Sequence, residues 1–210
     1  MTVVYAVAAL VTAYLLGSLP MGVFAARLLK GVDVRDIGSG RTGTTNVYRV
    51  AGPLGAAVTS AGDILKGVVA VWLARFLMML APANHWIHWV MALAGIAVVA
   101  GHNYSIFLRF KGGAGTVASL GALAAMNPYV AIALVAVGLV AIAISRMASI
   151  GSITIAALMG LALVISAALR VTEWPYVLFG VVTGVLTILA LRPNIKRILT
   201  KQERRLKTDY

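Results

Sequence analysis

Seven apolar runs occupy most of the 210-residue chain: Val3 to Leu29 (interrupted by Gly17-Ser18-Leu19-Pro20), Leu54 to Leu80, Trp86 to Gly101, Gly115 to Met126, Tyr129 to Ser145, Ile150 to Leu169 and Pro175 to Leu191. About 20 apolar residues cover roughly 30 Å of hydrocarbon as a helix, and inside lipid a backbone segment must satisfy its own polar groups. The runs therefore predict an all-α polytopic membrane protein of about seven transmembrane helices, built as a single integral membrane domain over residues 1–210. Composition agrees: 61% hydrophobic and 11% charged residues, with a mean hydropathy of +0.95, lie outside the range of water-soluble domains. The run Gly115 to Met126 is too short to cross alone and Trp86 to Gly101 is marginal, so the fourth helix is expected to be tilted or of half depth. Met1 to Leu16 carries no Lys or Arg, which reads as a retained helix rather than a cleaved signal.

Orientation follows from the basic residues. Arg27, Lys30, Arg35, Arg41 and Arg49 fall after the first span, Arg109 and Lys111 after the third, and Arg146 after the fifth. Arg192, Lys196, Arg197, Lys201, Arg204, Arg205 and Lys207 make residues 192–210 a basic cytoplasmic tail. If all seven segments cross, fifteen of the eighteen Lys and Arg share one side, placing the N-terminus outside and the C-terminus in the cytoplasm. A five-helix reading, with two segments after Lys111 not crossing, keeps the same parity. The net charge of +12 then reflects topology and anionic lipid headgroups, not a nucleic-acid partner. With no cysteine, thiol chemistry and thiolate metal sites are excluded. No internal repeat of the transporter kind is evident.

Two basic-side loops are rich in glycine. The first, Arg35 to Arg49, holds Gly38, Gly40 and Gly43, which allow consecutive N–H groups to converge on an anion. Ser39, Thr42, Thr44, Thr45 and Asn46 add neutral donors, and Arg49 a planar fork suited to phosphate. The second, Gly101 to Thr116, places Lys111, Gly112, Gly113 and Gly115 at the start of the short fourth helix, where a helix N-terminus favours anions. G-x-x-x-x-G-K-[ST] is not satisfied, so nucleotide binding is not indicated. Within the second span, Asp63 and Lys66 share one helical face; a mutual ion pair and a substrate contact are equally open. His102 reads first as a structural residue at a helix end. His85 and His88, beside Trp86 and Trp89, read as an interfacial belt rather than a metal site.

These motifs together resemble the bacterial glycerol-3-phosphate acyltransferases of the PlsY type, over nearly the whole chain. Gly17-Ser18-Leu19-Pro20 is similar to the family's break in helix one, and Gly38-Ser39-Gly40 with Gly43, Thr45-Asn46 and Arg49 to its first motif. Asp63 to Gly67 resembles D-x-x-K-G. Gly101-His102 with Phe110-Lys111-Gly112-Gly113 and Gly115 resembles the second motif, and Asn194-Ile195-Lys196-Arg197 with Glu203 the third. The resemblance implies transfer of a fatty acyl group from acyl phosphate to the 1-hydroxyl of glycerol 3-phosphate, giving lysophosphatidic acid without a cofactor or a metal. It implies a bacterial cytoplasmic (inner) membrane location and the substrate's own phosphate as base. By position it puts Ser39, Arg49 and Asn194 at the catalytic step. Gly38, Gly40, Arg41, Gly43, Thr45, Asn46, Lys111, Gly112, Gly113 and Gly115 would hold phosphate, with Asp63, Lys66 and His102 in support.

The chain departs from the family pattern at Arg41, Ala114 and Leu191, which replace an Asn, a Lys and a His, and less markedly at Thr44 and Lys201. Three readings follow: an active acyltransferase, a related protein that keeps the fold and phosphate binding with little activity, and a phosphate-ester transporter.

Overall fold

The computed structural model describes residues 1–206, and helices with short connections make up all of them, with no strand among the described residues. Lys207, read above as part of the basic tail, lies outside the described residues. Helix α1 (Thr2–Ser18) breaks at Leu19-Pro20 and resumes as α2 (Met21–Lys30), because proline has no N–H to donate to the preceding turn. Helix α3 (Thr44–Met79) is bent at Gly52, whose φ of 70° is left-handed, immediately before Pro53. Then come α4 (Ile87–Asn103), α5 (Thr116–Met126), α6 (Pro128–Ser145), α7 (Ala148–Ala168), α8 (Pro175–Ala190) and α9 (Arg192–Leu199).

Five segments, Thr2–Lys30, Thr44–Met79, Ile87–Leu108, Pro128–Ser145 and Ala148–Ala168, are long and apolar enough to cross a membrane. A sixth is reached when α8 is taken with α9, which turns away from it by 60°. The remaining apolar helix is α5, whose 11 residues rise only about 16 Å, so the expected short helix is present. It still joins the two ends of the bundle. Thr116 at its start lines a cavity with Gly38, Ala148 and Asn194, whereas Met126 at its end lies with Arg75, His88 and Tyr176 at the other end. The connections 31–43, 104–115, 146–147 and 191–206 consequently gather at one end.

The missing length of α5 is supplied by the chain before it, which folds back against α4. Gly112 N–H donates to Asn103 O and Gly113 N–H to His102 O, both at 3.1 Å. In lipid there is little hydrophobic drive between helices, so association depends on close packing of small residues. A Cβ on Gly67 of α3 would sit 2.5 Å from Ala118 O, and one on Gly121 of α5 2.3 Å from Ile64 O. Phe179, Met78, Leu123, Met159 and Leu163 fill the interior. The exposed large side chains, among them Leu139, Ile144 and Leu161, form the outer surface that faces lipid.

Two boundaries differ from the sequence expectation. The first loop ends at Gly43, not Arg49, because Thr44 to Arg49 already belong to α3. The tail from Arg192 begins with an eight-residue helix and then returns across the bundle end, where Leu206 N–H donates to Arg146 O at 2.7 Å.

A cationic cavity at one end of the bundle

The first loop is anchored at its start by Asp33. Its carboxylate accepts from Arg35 Nε at 2.9 Å and Nη2 at 2.7 Å, and from Arg27 Nη2 at 2.8 Å. The hydrogen bond from Arg35 contributes most to holding this carboxyl well below the usual carboxylate range. The loop then closes around Asn46. Asn46 Nδ2 donates to the carbonyls of Val34 at 2.9 Å and of Ile37 and Arg41 at 3.0 Å, while Oδ1 accepts from Ser39 N–H at 3.0 Å. Gly38, at φ 69°, leaves room for that carboxamide: a Cβ there would lie 2.3 Å from Asn46 Oδ1. Asn46 thus shapes the loop that carries Ser39, and its own polar atoms are already engaged.

The second loop packs on a buried ionic group. Lys66 Nζ lies 2.8 Å from Asp63 Oδ1 and 2.8 Å from His102 Nδ1, and donates to Leu19 O at 3.2 Å. His102 Nδ1 is 3.3 Å from the same Asp63 oxygen. All three side chains are buried, and mutual pairing offsets the cost of placing charge at this depth. Gly112 and Gly113 cover the group: a Cβ on Gly113 would be 2.1 Å from His102 Nε2, and one on Gly112 2.0 Å from His102 O. Gly115, at φ 88°, caps α5 and lies against Asn103.

The third element is α9 with the strap that follows it. Glu203 accepts from Asn194 Nδ2 at 2.8 Å and from Arg197 Nε at 2.7 Å. Burial alone would raise the Glu203 carboxyl, but the hydrogen bonds from Asn194 and Arg197 outweigh it and hold the group below its ordinary value. Arg204 Nη2 reaches Gly38 O at 3.5 Å and joins the strap to the first loop.

These elements enclose a cavity of about 270 Å³. Its wall contains Gly38, Ser39, Arg41, Gly43, Thr44, Thr45, Asn46 and Arg49 from the first loop and the start of α3. Asp63, His102, Ala114, Gly115, Thr116 and Val117 form its floor and one side, and Ala148, Ser149, Ser152, Leu191, Asn194, Arg197, Glu203 and Arg204 the other. Asp63 is paired with Lys66 and Glu203 with Arg197, so Arg41, Arg49 and Arg204 give the cavity a positive field. Hydroxyls from Ser39, Thr45, Thr116, Ser149 and Ser152 supply neutral donors beside them. Arginine forks with hydroxyls are the chemistry that holds a phosphate ester.

The structure therefore brings Gly38, Ser39, Arg41, Gly43, Thr45, Asn46, Arg49, Gly115, Asn194, Asp63 and His102 to one place. Gly40, Lys66, Lys111, Gly112 and Gly113 do not line the cavity. Gly40 turns at φ 68° on the exposed side of the first loop. Lys111 is exposed, following Arg109 and Phe110, whose φ values of 51° and 62° swing the chain outward. Thr116, Ser149, Ser152, Arg197 and Arg204 also stand in the wall, beyond the ligands that the sequence points to. Ser149 and Ser152 left a faint signal, two hydroxyls one turn apart at the start of an apolar run. In sequence, Arg204 is indistinguishable from the rest of the basic tail.

The fold and the cavity together define a multi-pass integral membrane protein with a cationic, hydroxyl-lined cavity at one end. The glycerol-3-phosphate acyltransferase family model matches residues 7–201, and the chain belongs to that family. A glycerol-3-phosphate acyltransferase of Trichormus variabilis is 43% identical over 208 residues, covering 93% of this chain and 89% of the relative. Glycerol-3-phosphate acyltransferase 2 of Moorella thermoacetica is 40% identical over 198 residues, covering 94% and 96%. Among solved structures, the glycerol 3-phosphate form of the integral membrane acyltransferase PlsY superposes with a TM-score of 0.83 at 34% identity, covering 97% of this chain and 96% of that one. Its lysophosphatidic acid form gives a TM-score of 0.82.

Proposed function

We propose that this protein transfers a fatty acyl group from acyl phosphate to the 1-hydroxyl of glycerol 3-phosphate, forming lysophosphatidic acid for phospholipid synthesis. The observation that carries this reading is the convergence of the first loop, the start of α5, the start of α7 and the α9 strap on one cavity with four arginines in its wall. Family membership supplies the reaction class.

In the step, the hydroxyl oxygen attacks the acyl carbonyl carbon. The bond from that carbon to the phosphate oxygen breaks, inorganic phosphate leaves, and the hydroxyl proton passes to phosphate. Acyl phosphate is already activated, so positioning and charge neutralisation supply the acceleration. Arg49, Ser39 and Thr45 hold phosphoryl oxygens, with the N-terminus of α5 at Gly115 facing the same space. Asn194, fixed through its Nδ2 by Glu203, keeps its carbonyl oxygen to orient the glycerol hydroxyl. His102 serves as a support and not as the base, because its Nδ1 faces Lys66 and Asp63 and Gly113 packs over its Nε2.

The cavity end faces the cytoplasm, since the connections gathered there carry most of the Lys and Arg. The protein resides in the bacterial inner membrane, where both substrates arrive from the cytoplasmic side. Purified protein in lipid, given acyl phosphate and labelled glycerol 3-phosphate, is expected to release lysophosphatidic acid and inorganic phosphate in equal amounts. Absence of labelled lysophosphatidic acid above background would overturn the reading.

A further inference from the structure

Positions 114 and 191 both lie in the cavity wall, and neither carries charge: Ala114 presents a methyl group, and Leu191 is buried with 5% exposure. The positive charge of the wall comes from elsewhere. Arg197 is answered by Glu203 at 2.7 Å, and Arg49 and Arg204 are exposed. Arg41 differs from all three. Its guanidinium crosses from the first loop to the end of α8, where Nη2 donates to the carbonyl of Ala190, the residue before Leu191. Its Nη1 is shut off from solvent and has no acceptor among the described residues.

A buried donor without an acceptor is costly, more so when it carries charge. Such a group in the wall of a cavity for anions marks a place where the ligand completes the hydrogen bonding. Arginine suits this role because one edge of its fork can stay on the protein while the other meets a phosphoryl oxygen. We infer that Arg41 is a substrate-contacting residue: Nη1 binds a phosphoryl oxygen at the α8 end of the cavity, supplying the cation that positions 114 and 191 lack. The inference rests on the acyl-transfer reading above and adds a phosphate contact to it.

The phosphoryl group could belong to acyl phosphate or to glycerol 3-phosphate, and kinetics separates them. R41Q is expected to lower kcat/KM by ~10- to 100-fold, the range for losing a charge-assisted hydrogen bond. If Arg41 holds the donor phosphate, the loss falls on the KM for acyl phosphate and on kcat; if it holds the acceptor, on the KM for glycerol 3-phosphate. A tether from the first loop to α8 with no ligand role would also be weakened by R41Q, so the deciding variant is R41Q/A114K. A lysine returned to the same cavity wall recovers activity if the missing element is charge, and recovers none if it is the tether. R41Q within threefold of wild type, or R41Q/A114K no better than R41Q, would overturn the inference.

An inactive wild-type protein would sink the acyl-transfer reading and still leave Arg41 testable. Inorganic phosphate should then raise the Tm of wild type more than that of R41Q. Equal protection of the two would remove the contact.

Discussion

The two glycine-bearing loops at the cavity end look alike as sequence, each a mixture of glycine, hydroxyl and basic residues, yet the protein uses them in opposite ways. In the first, the carboxamide of Asn46 draws the backbone inward by four hydrogen bonds, so that Ser39 and Arg41 are presented to the cavity. In the second, Gly112 and Gly113 are packed against His102, and the chain reaches the cavity only from Ala114 onward. Glycine in the first loop permits a conformation; in the second it permits close approach to the backbone and ring of His102. Composition does not distinguish these roles: the first loop lines the cavity with Ser39 and Arg41, the second with Ala114, Gly115 and Thr116.

Three substitutions break or sharpen this contrast. The largest effect is expected from Gly113→Ala, whose added methyl would stand 2.1 Å from His102 Nε2. The neighbour is a ring engaged with Lys66 and Asp63, so relief requires moving the buried ionic group, at a cost of about 3 kcal/mol or more. A fall in Tm together with loss of acyl transfer is the expected result. Unchanged Tm with lost activity would instead make the second loop a ligand contact and erase the contrast.

Asn46→Ala comes next. Val34, Ile37 and Arg41 would lose the donor to their carbonyls, and Ser39 N–H its acceptor, at roughly 1–3 kcal/mol for each group left buried and unpaired. Because the loop is partly exposed, water recovers some of this, and the folded protein is expected to persist with kcat/KM reduced at least tenfold. Steady-state kinetics beside a thermal melt checks it: wild-type kinetics would mean that Asn46 does not shape the site.

The smallest effect is expected from Lys111→Ala, in which an exposed cation outside the cavity is removed. Exposed charges contribute less than about 1 kcal/mol, so both Tm and KM should stay within about twofold of wild type, and a tenfold rise in either KM would return Lys111 to the site.

Much of this arrangement is readable from the residues. Apolar runs located the helices, Pro20 the break in the first, and Gly115 to Met126 the short traverse. Spacing puts Asp63 and Lys66 on one helical face but leaves an ion pair and a substrate contact equally open; their pairing with each other and with His102 depends on how α3 and α4 cross. Three features were not readable. An asparagine amide suits a ligand and a neighbouring carbonyl equally well, so the inward turn of Asn46 was decided by the geometry at Gly38. Lys111 sits beside glycines in sequence, but the left-handed residues before it turn it outward. Arg204 lies among tail lysines and arginines, and its contact with Gly38 links residues too far apart in the chain for local pattern to reveal.

That last contact bears on when the protein becomes competent. The cavity wall draws on Gly38 and on Arg204, so it cannot be complete while the later helices are still being made and inserted. A chain halted during synthesis after α7 would hold several membrane-crossing helices and both glycine loops, and would lack Asn194, Arg197 and the strap. Assembly of the cavity is thus the last event of biogenesis, and partly made copies would occupy the bilayer without a finished one.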